Sequence, residues 1–325
     1  MNNPAHSSAL APTPSPDLPL AFGLDIGGTK IECVGLHARN GKELYRQRVP
    51  TAQKSYDSLV ADIGNLIEQA ESTLGARGTL GIGMPGAEDP ASGIMLHAGN
   101  VEQLVGKPFV HDVGQRLSRP VRLANDANCF ALSEAVDGAG KGSTVVFGVI
   151  IGTGVGGGLA LQGKVWPGIN LIAGEWGHNA LPWMEDEDRH DHLCPACGFA
   201  CIETYLAGPS LKRDHNERAG QNISTHDLIA AAEAGDALAL ASIARYERRL
   251  AKSLAWVINL LDPEVFVLGG GMSNVARLYE QVPKLWGQWV YSKSTIKTRL
   301  SPPRHGDSSG VRGAAWLWRD SLDQV

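Results

Sequence analysis

Asp126 is the residue of this chain whose type and setting best suit it to take a proton from a bound hydroxyl. It stands in Asn125-Asp126-Ala127-Asn128, where a predicted strand, Val121 to Ala124, gives way to a helix through Ala131, Leu132, Ala135 and Val136. A carboxylate at such a corner can act as a general base, and Asn125 and Asn128 offer the paired donors and acceptors that hold a polyol. The same position would let Asp126 simply cap the helix. A second kind of chemistry comes from glycine turns that follow short apolar strands. Asp25 closes the strand Ala21 to Ile26 just before Gly27-Gly28-Thr29-Lys30, and Val145 to Ile151 runs into Gly152-Thr153-Gly154. A third strand, Val265 to Leu268, ends at Gly269-Gly270-Gly271. Backbone N–H groups in such turns approach an anion closely, while Lys30 adds a positive charge and Thr29 a hydroxyl. Three strand-then-glycine units predict two related halves facing one nucleotide.

A third grouping suits a metal. His178, in Gly174-Glu175-Trp176-Gly177-His178, is followed by Cys194, Cys197 and Cys201. One imidazole and three thiolates form the Cys₃His set of a structural zinc site, and clustered cysteines in a reducing compartment are better explained as ligands than as idle thiols. Glu203 lies just beyond the last cysteine, so a metal that fixes the loop would fix this carboxylate as well. The acidic run Glu185-Asp186-Glu187-Asp188 reads as a solvated loop.

Two familiar phosphate motifs are set aside. The pattern G-x-x-x-x-G-K-[ST] is absent, because Gly140-Lys141 is followed by Gly142. The dinucleotide pattern G-x-G-x-x-G is literally present at Gly152, Gly154 and Gly157, but Leu159 to Val165 reads as a strand, a glycine turn and a strand instead of the required helix. A nicotinamide-dependent oxidoreductase is therefore disfavoured.

The elements that must position these groups follow from periodicity. Ile31 to Leu36 and Glu43 to Val49, joined at Asn40-Gly41, predict a hairpin that extends the first strand into a meander. Leu59, Val60, Ile63, Leu66, Ile67, Ala70 and Leu74 mark one face of a helix, and Thr79 to Met84 returns as a strand. That order is the one expected of a ribonuclease-H-like half, and it restarts at Thr144. Ala237 to Leu261 predicts a long helix closed by Asp262-Pro263, and Gly310 to Trp318 a final one. The first nineteen residues, rich in Pro, Ser and Ala, read as a disordered tail without the features of a signal peptide. With 325 residues and a net charge of −5, nucleic acid and anionic membranes are poor partners. Five cysteines, an odd number, fit reduced thiols and a cytoplasmic setting.

Taken together, D-I-G-G-T-K at Asp25 to Lys30, N-D-A-N at Asn125 to Asn128, G-T-G-V-G-G at Gly152 to Gly157, G-E-W-G-H at Gly174 to His178, the cysteines followed by C-I-E, and L-G-G-G at Leu268 to Gly271 resemble the ROK family of sugar kinases. Gly174 to Trp183 and His305 to Trp318 look most like bacterial fructokinases of the manno(fructo)kinase type. The resemblance implies an α/β, actin-like fold, a duplicated ribonuclease-H-like ATPase of two lobes. Residues 20–122, joined by a C-terminal helix at 311–325, would form the small lobe, and residues 123–310 the large one. ATP and Mg²⁺ would be held by Asp25, Gly27, Gly28, Thr29 and Lys30, by Gly152, Thr153 and Gly154, and by Gly269, Gly270 and Gly271 beside the adenosine. Asn100, Asn125, Asp126, Glu175, His178 and Glu203 would hold the sugar, with Asp126 as base at the 6-hydroxyl. His178, Cys194, Cys197 and Cys201 would bind structural Zn²⁺. The family commonly spaces its first two cysteines as C-x-C, where Cys194 and Cys197 are C-x-x-C, and Gln103 stands where a tryptophan often follows the sugar-binding Asn. The expected reaction is fructose to fructose 6-phosphate, with N-acetylglucosamine, glucose or mannose as alternative sugars and a homodimer as the expected assembly. Sugar-responsive repressors of the same family carry an N-terminal helix-turn-helix, for which nineteen Pro/Ser-rich residues leave no room.

Overall fold

In the computed structural model, which describes residues 20–51, 55–306 and 309–322, the chain divides into two compact units. The first comprises residues up to Asn125 together with those from Ala314 onward, and the second is Asp126–Gly313. The expected boundary after residue 122 thus falls at Asn125, because the strand there stays paired with its neighbour up to Met84↔Asn125. The expected N-terminal tail and the last three residues of the expected final helix lie outside the described residues.

The first unit opens with β1 (Leu20–Ile26), β2 (Lys30–His37) and β3 (Glu43–Pro50), an antiparallel meander whose β2–β3 turn has Gly41 at φ 70°. Helix α1 (Tyr56–Leu74) starts at a capping box formed by Ser55 and Ser58 and ends at Gly75 in the left-handed conformation. Its buried residues Leu59, Ile63, Leu66, Ile67 and Ala70 recur every three or four positions and cover the sheet. β4 (Gly78–Met84) is buried along its whole length, as expected of a parallel strand between two others. A short hairpin, β5 (Ala87–Glu88) with β6 (Met95–His97), precedes α2 (Phe109–Leu117) and β7 (Val121–Asn125). The sheet order is β3-β2-β1-β4-β7, with β1, β4 and β7 parallel. The chain end returns to this unit through Trp318, whose Nε1 donates to Leu80 O at 2.7 Å while the Arg122 guanidinium stacks on its ring.

The second unit begins with α3 (Asp126–Val136), then β8 (Val145–Ile151), β9 (Val155–Leu161) and β10 (Lys164–Val165). Gln162 and Gly163, both at positive φ, turn β9 into β10 as the hairpin expected in place of a crossover helix. After a long loop come α4 (Glu203–Leu206), α5 (Gly208–Ala219), α6 (Thr225–Glu233), α7 (Ala237–Leu261), β11 (Val265–Gly269), α8 (Ala276–Leu285), β12 (Arg299–Ser301) and the start of α9 (Ser309–Trp316), whose end from Ala314, with α10 (Arg319–Leu322), belongs to the first unit. The sheet order β10-β9-β8-β11-β12 repeats that of the first sheet position for position, with β8, β11 and β12 parallel. This duplication is the actin-like, ribonuclease-H-like fold.

The acidic run corrects an expectation. Asp188 is buried, bonded to Arg249 Nε at 2.8 Å and to Lys252 Nζ, and Glu185 pairs with Arg248, so two of the four acids strap the loop to α7. Three cations on one long helix supply counter-charges that no local pattern around residues 185–188 reveals. The His305 to Trp318 stretch also has a structural task. His305 and Arg312 both hold Asp137 at the end of α3, and Ser309 Oγ donates to the buried Glu134.

Candidate functional site

In each unit the candidate residues gather at the carboxyl ends of parallel strands, where open α/β sheets bind ligands. In the first unit, Asp25 pairs with Gly83 in register and Met84 with Asn125, so Asp25 and Asn125 sit at the ends of β1 and β7 with β4 between them. The turn after β1 is closed by Gly27 N–H donating to Lys30 O at 3.0 Å. Thr51 braces it from the neighbouring strand end, donating Oγ1 to Gly27 O at 2.6 Å and N–H to Thr29 O at 3.0 Å. Thr29 and Lys30 are left exposed at the tip. Asn100 packs directly on this turn. A side chain at Gly28 would put its Cβ 2.6 Å from Asn100 Cβ, so the approach requires glycine.

In the second unit Asp126 begins α3, and its Oδ1 accepts from Ala127 N–H at 2.9 Å. Burial pushes this carboxyl above the ordinary aspartate range, against the opposing pull of the backbone N–H groups of Ala127 and of Asp126 itself. A base so tuned binds a proton more strongly than a solvated aspartate.

The turn Gly152–Gly154 follows β8 as Gly269–Gly271 follows β11, and the two strands are paired with Ile150 opposite Gly269. Both turns therefore emerge at one edge. A cavity of about 910 Å³ is lined by Gly152 and Thr153, by Gly271, Met272 and Asn274, and by residues of α5 and α6, including Lys212 and Ile229. Of the third glycine group only Gly271 reaches this cavity, since Gly269 is buried beneath it against the Phe130 ring. A depression of this size with mixed apolar and polar walls suits a nucleotide. The contributions of α5 and α6 escaped sequence reasoning. The available signal was Gly208-Pro209 opening a helix directly after Glu203.

Glu203 is tied to the glycine turn. Its Oε2 accepts from Val155 N–H at 2.9 Å, and a Cβ at Gly154 would come within 2.6 Å of that same oxygen. Its Oε1 lies 3.6 Å from Cys194 Sγ. Glu175 stands exposed beside Trp176, which is buried and donates Nε1 to Gly156 O at 2.9 Å. His178 turns Nδ1 toward Cys194, Cys197 and Cys201, with sulfurs at 3.8, 3.9 and 4.0 Å.

These four side chains could hold a metal ion, their ligand atoms all lying within 4.8 Å of one another. A tetrahedral zinc with the usual Zn–S and Zn–N lengths sets its donors roughly 3.5–3.8 Å apart, so the histidine nitrogen fits with a few tenths of an ångström of contraction and the set as a whole with at most about 1 Å. Burial would raise the Cys194 thiol, but the N–H groups of Cys197 and Ala196 aimed at its sulfur bring its pKa below the ordinary value, toward the thiolate a metal needs. The C-x-x-C spacing therefore brings both thiols to the cluster.

Relatives of known name resemble the chain over nearly its whole length. An N-acetyl-D-glucosamine kinase of Aliivibrio salmonicida is 40% identical over 300 residues, covering 91% of this chain and 98% of that protein. Among solved structures, the ROK hexokinase of Thermus thermophilus matches with a TM-score of 0.81 and 29% identity over 94% of this chain and 100% of its own. A ROK family glucokinase of Streptomyces griseus, solved with glucose and AMPPNP, matches with a TM-score of 0.71 and 29% identity over 93% and 99%. The ROK family model spans residues 21–321, and the chain belongs to the ROK family.

Proposed function

We propose that the protein is an ATP-dependent kinase that phosphorylates N-acetyl-D-glucosamine at its 6-hydroxyl. The observation that carries the sugar assignment is the 38–40% identity, over nearly full length, to proteins named N-acetyl-D-glucosamine kinase. The nucleotide assignment rests on the cavity between Gly152-Thr153 and Gly271, and is supported by the AMPPNP complex of the Streptomyces griseus relative.

In this reading the base and ribose of ATP occupy the cavity against α5 and α6, and the turns at Gly27–Lys30 and Gly152–Gly154 supply N–H groups to the phosphates. Asp25 would hold Mg²⁺, which would supply charge neutralisation at the transferring group. Asn100, Asn125, Glu175, His178 and Glu203 hold the sugar hydroxyls. Asp126 accepts the proton of the 6-hydroxyl as that oxygen forms its bond to the γ-phosphorus and the bond to ADP breaks. The cluster of His178, Cys194, Cys197 and Cys201 would hold structural Zn²⁺, which would fix the loop that carries His178 and Glu203.

Fructose is the second reading, favoured by the motifs at Gly174 to Trp183 and His305 to Trp318. ADP release from MgATP, followed with N-acetyl-D-glucosamine, fructose, mannose and glucose in turn, separates the two. The largest kcat/KM for N-acetyl-D-glucosamine, abolished in Asp126→Asn, is the expected result. A preference for fructose would overturn the sugar and keep the mechanism, and absence of turnover with every sugar would overturn the kinase reading.

A further inference from the structure

Glu203 does more than face a sugar. The segment that carries it grips the second glycine turn at two points, since Glu203 Oε2 accepts from Val155 N–H at 2.9 Å and Gly208 N–H donates to Gly152 O at 2.8 Å. The turn Gly152–Val155 is thus clamped at both ends by residues 203–208. The same segment is continuous with the cysteine cluster. Cys201 pairs with Ala180 in an isolated β-bridge, Ile202 N–H donates to Asn179 O at 2.8 Å, and Thr204 N–H donates to Cys201 O at 2.9 Å. Ser210 Oγ closes the corner on Glu203 O at 3.0 Å. From Cys201 to the glycine turn there is therefore an unbroken run of backbone and carboxylate hydrogen bonds, with no exposed flexible stretch between.

We propose that Glu203 is a positioning residue for the nucleotide phosphates, transmitting the order of the cysteine–histidine cluster to the turn Gly152–Val155. The inference rests on the reading of that turn as a phosphate loop. A Val155 amide held by a carboxylate fixes the plane of the preceding peptide, and with it the direction in which the Gly154 and Thr153 N–H groups point. Loosening of the cluster releases Cys201, Ile202 and Glu203 together and lets the turn relax. On this account the loop that serves the sugar also sets affinity for ATP. A residue touching only sugar would leave nucleotide binding unchanged.

The test is MgAMPPNP binding by calorimetry without sugar, to the full chain as wild type, Glu203→Gln and Glu203→Ala, with zinc content and thermal midpoint measured on each. Gln keeps an acceptor for Val155 N–H, whereas Ala removes it. A hydrogen bond to a charged acceptor lost from this position weakens binding by roughly tenfold or more. The expected result is that Ala loses at least this factor at unaltered zinc content and that Gln recovers most of it. Stripping the metal with a chelator reproduces the loss, and returning Zn²⁺ reverses it. Equal nucleotide affinity in wild type and Glu203→Ala, with only the KM for sugar raised, would overturn the inference. Failure of the wild type itself to bind MgAMPPNP would instead overturn the nucleotide reading on which it rests.

Discussion

Replacing Asp188 by alanine should destabilise the second unit severely, and the size of the effect follows from what the carboxylate leaves behind. Asp188 is 3% exposed at its side chain and bonds two cations that are themselves buried, Arg249 at 4% and Lys252 at 0%. It also accepts from Glu185 N–H at 3.1 Å. Without it, Arg249 keeps Asp214 at 3.1 Å, but Lys252 keeps only the carbonyl of Trp183 at 3.0 Å, a dipole in place of a charge. Removing one partner of a buried pair costs about 3–5 kcal/mol, because the remaining charge is uncompensated. Asp188→Leu combined with Lys252→Met removes both charges and should be less destabilised than the sum of the single changes by about 2 kcal/mol or more. Urea unfolding followed by tryptophan fluorescence, comparing midpoints at constant slope, reads both quantities. A cost below about 1 kcal/mol for Asp188→Ala, or additivity within about 0.5 kcal/mol in the double variant, would refute the account. The pH dependence gives an independent check. Burial works to raise Asp188, but the hydrogen bonds from Arg249 and Lys252 prevail and hold it below the ordinary range, and Asp214 is likewise lowered against burial by Arg249 and Arg245. A depressed carboxyl contributes stability that is complete above its unfolded pKa and lost as pH falls through the folded value. Wild-type stability should therefore drop below roughly pH 4, and Asp188→Ala should show a flatter acid limb.

Three further outcomes are expected. Asp126→Asn should lower kcat by roughly 10²- to 10⁴-fold with an unchanged unfolding midpoint in urea, and the wild-type rate should fall on acidification with an apparent pKa above that of an ordinary aspartate, since a base raised by burial is protonated sooner as pH falls. Ala230→Trp, which fills the cavity from α6, should raise the KM for ATP at least tenfold and leave that for sugar nearly unchanged, as steady-state kinetics with each substrate varied would establish. Cys201→Ser should abolish stoichiometric zinc in metal analysis and lower the thermal midpoint, because one of the four side chains that could hold the metal loses its sulfur.

Most of the fold was legible because its signals are local. Gly41 in one hairpin and Gln162-Gly163 in the other make their turns by positive φ, and the apolar spacing of α1 and α7 marks which face is covered. The cysteine cluster was legible because ligand types are scarce and their spacing is short. What escaped is non-local. Nothing near Asp188 announces that its partners lie 61 and 64 residues further on, and Arg249 and Lys252 stand in a charged stretch of α7 beside Arg245, Glu247 and Arg248, so that only folding marks these two as buried. Part of the wall of the cavity beside the turns comes from α5 and α6, which carry no glycine motif and meet the turns only through folding.

The choice of sugar shows where pattern matching loses its physical content. The stretch from Gly174 to Trp183 drew the reading toward fructose, yet its most distinctive members are occupied in holding the scaffold. Trp176 is buried with its indole N–H on Gly156 O, and Leu181 is in the core. His305 and Arg312 of the other fructose-like stretch are engaged by Asp137. A shared motif of that kind measures shared packing, which any substrate of the fold would tolerate. Identity of 38–40% spread over 300 residues or more also measures mostly packing, but it samples the loops as well as the core. Discrimination among N-acetyl-D-glucosamine, glucose and mannose, which differ at carbon 2, turns on only ~1–3 kcal/mol per contact. It therefore resides in the few side chains that touch the differing substituent, and those contacts, more than either motif, are what the four-sugar comparison would read.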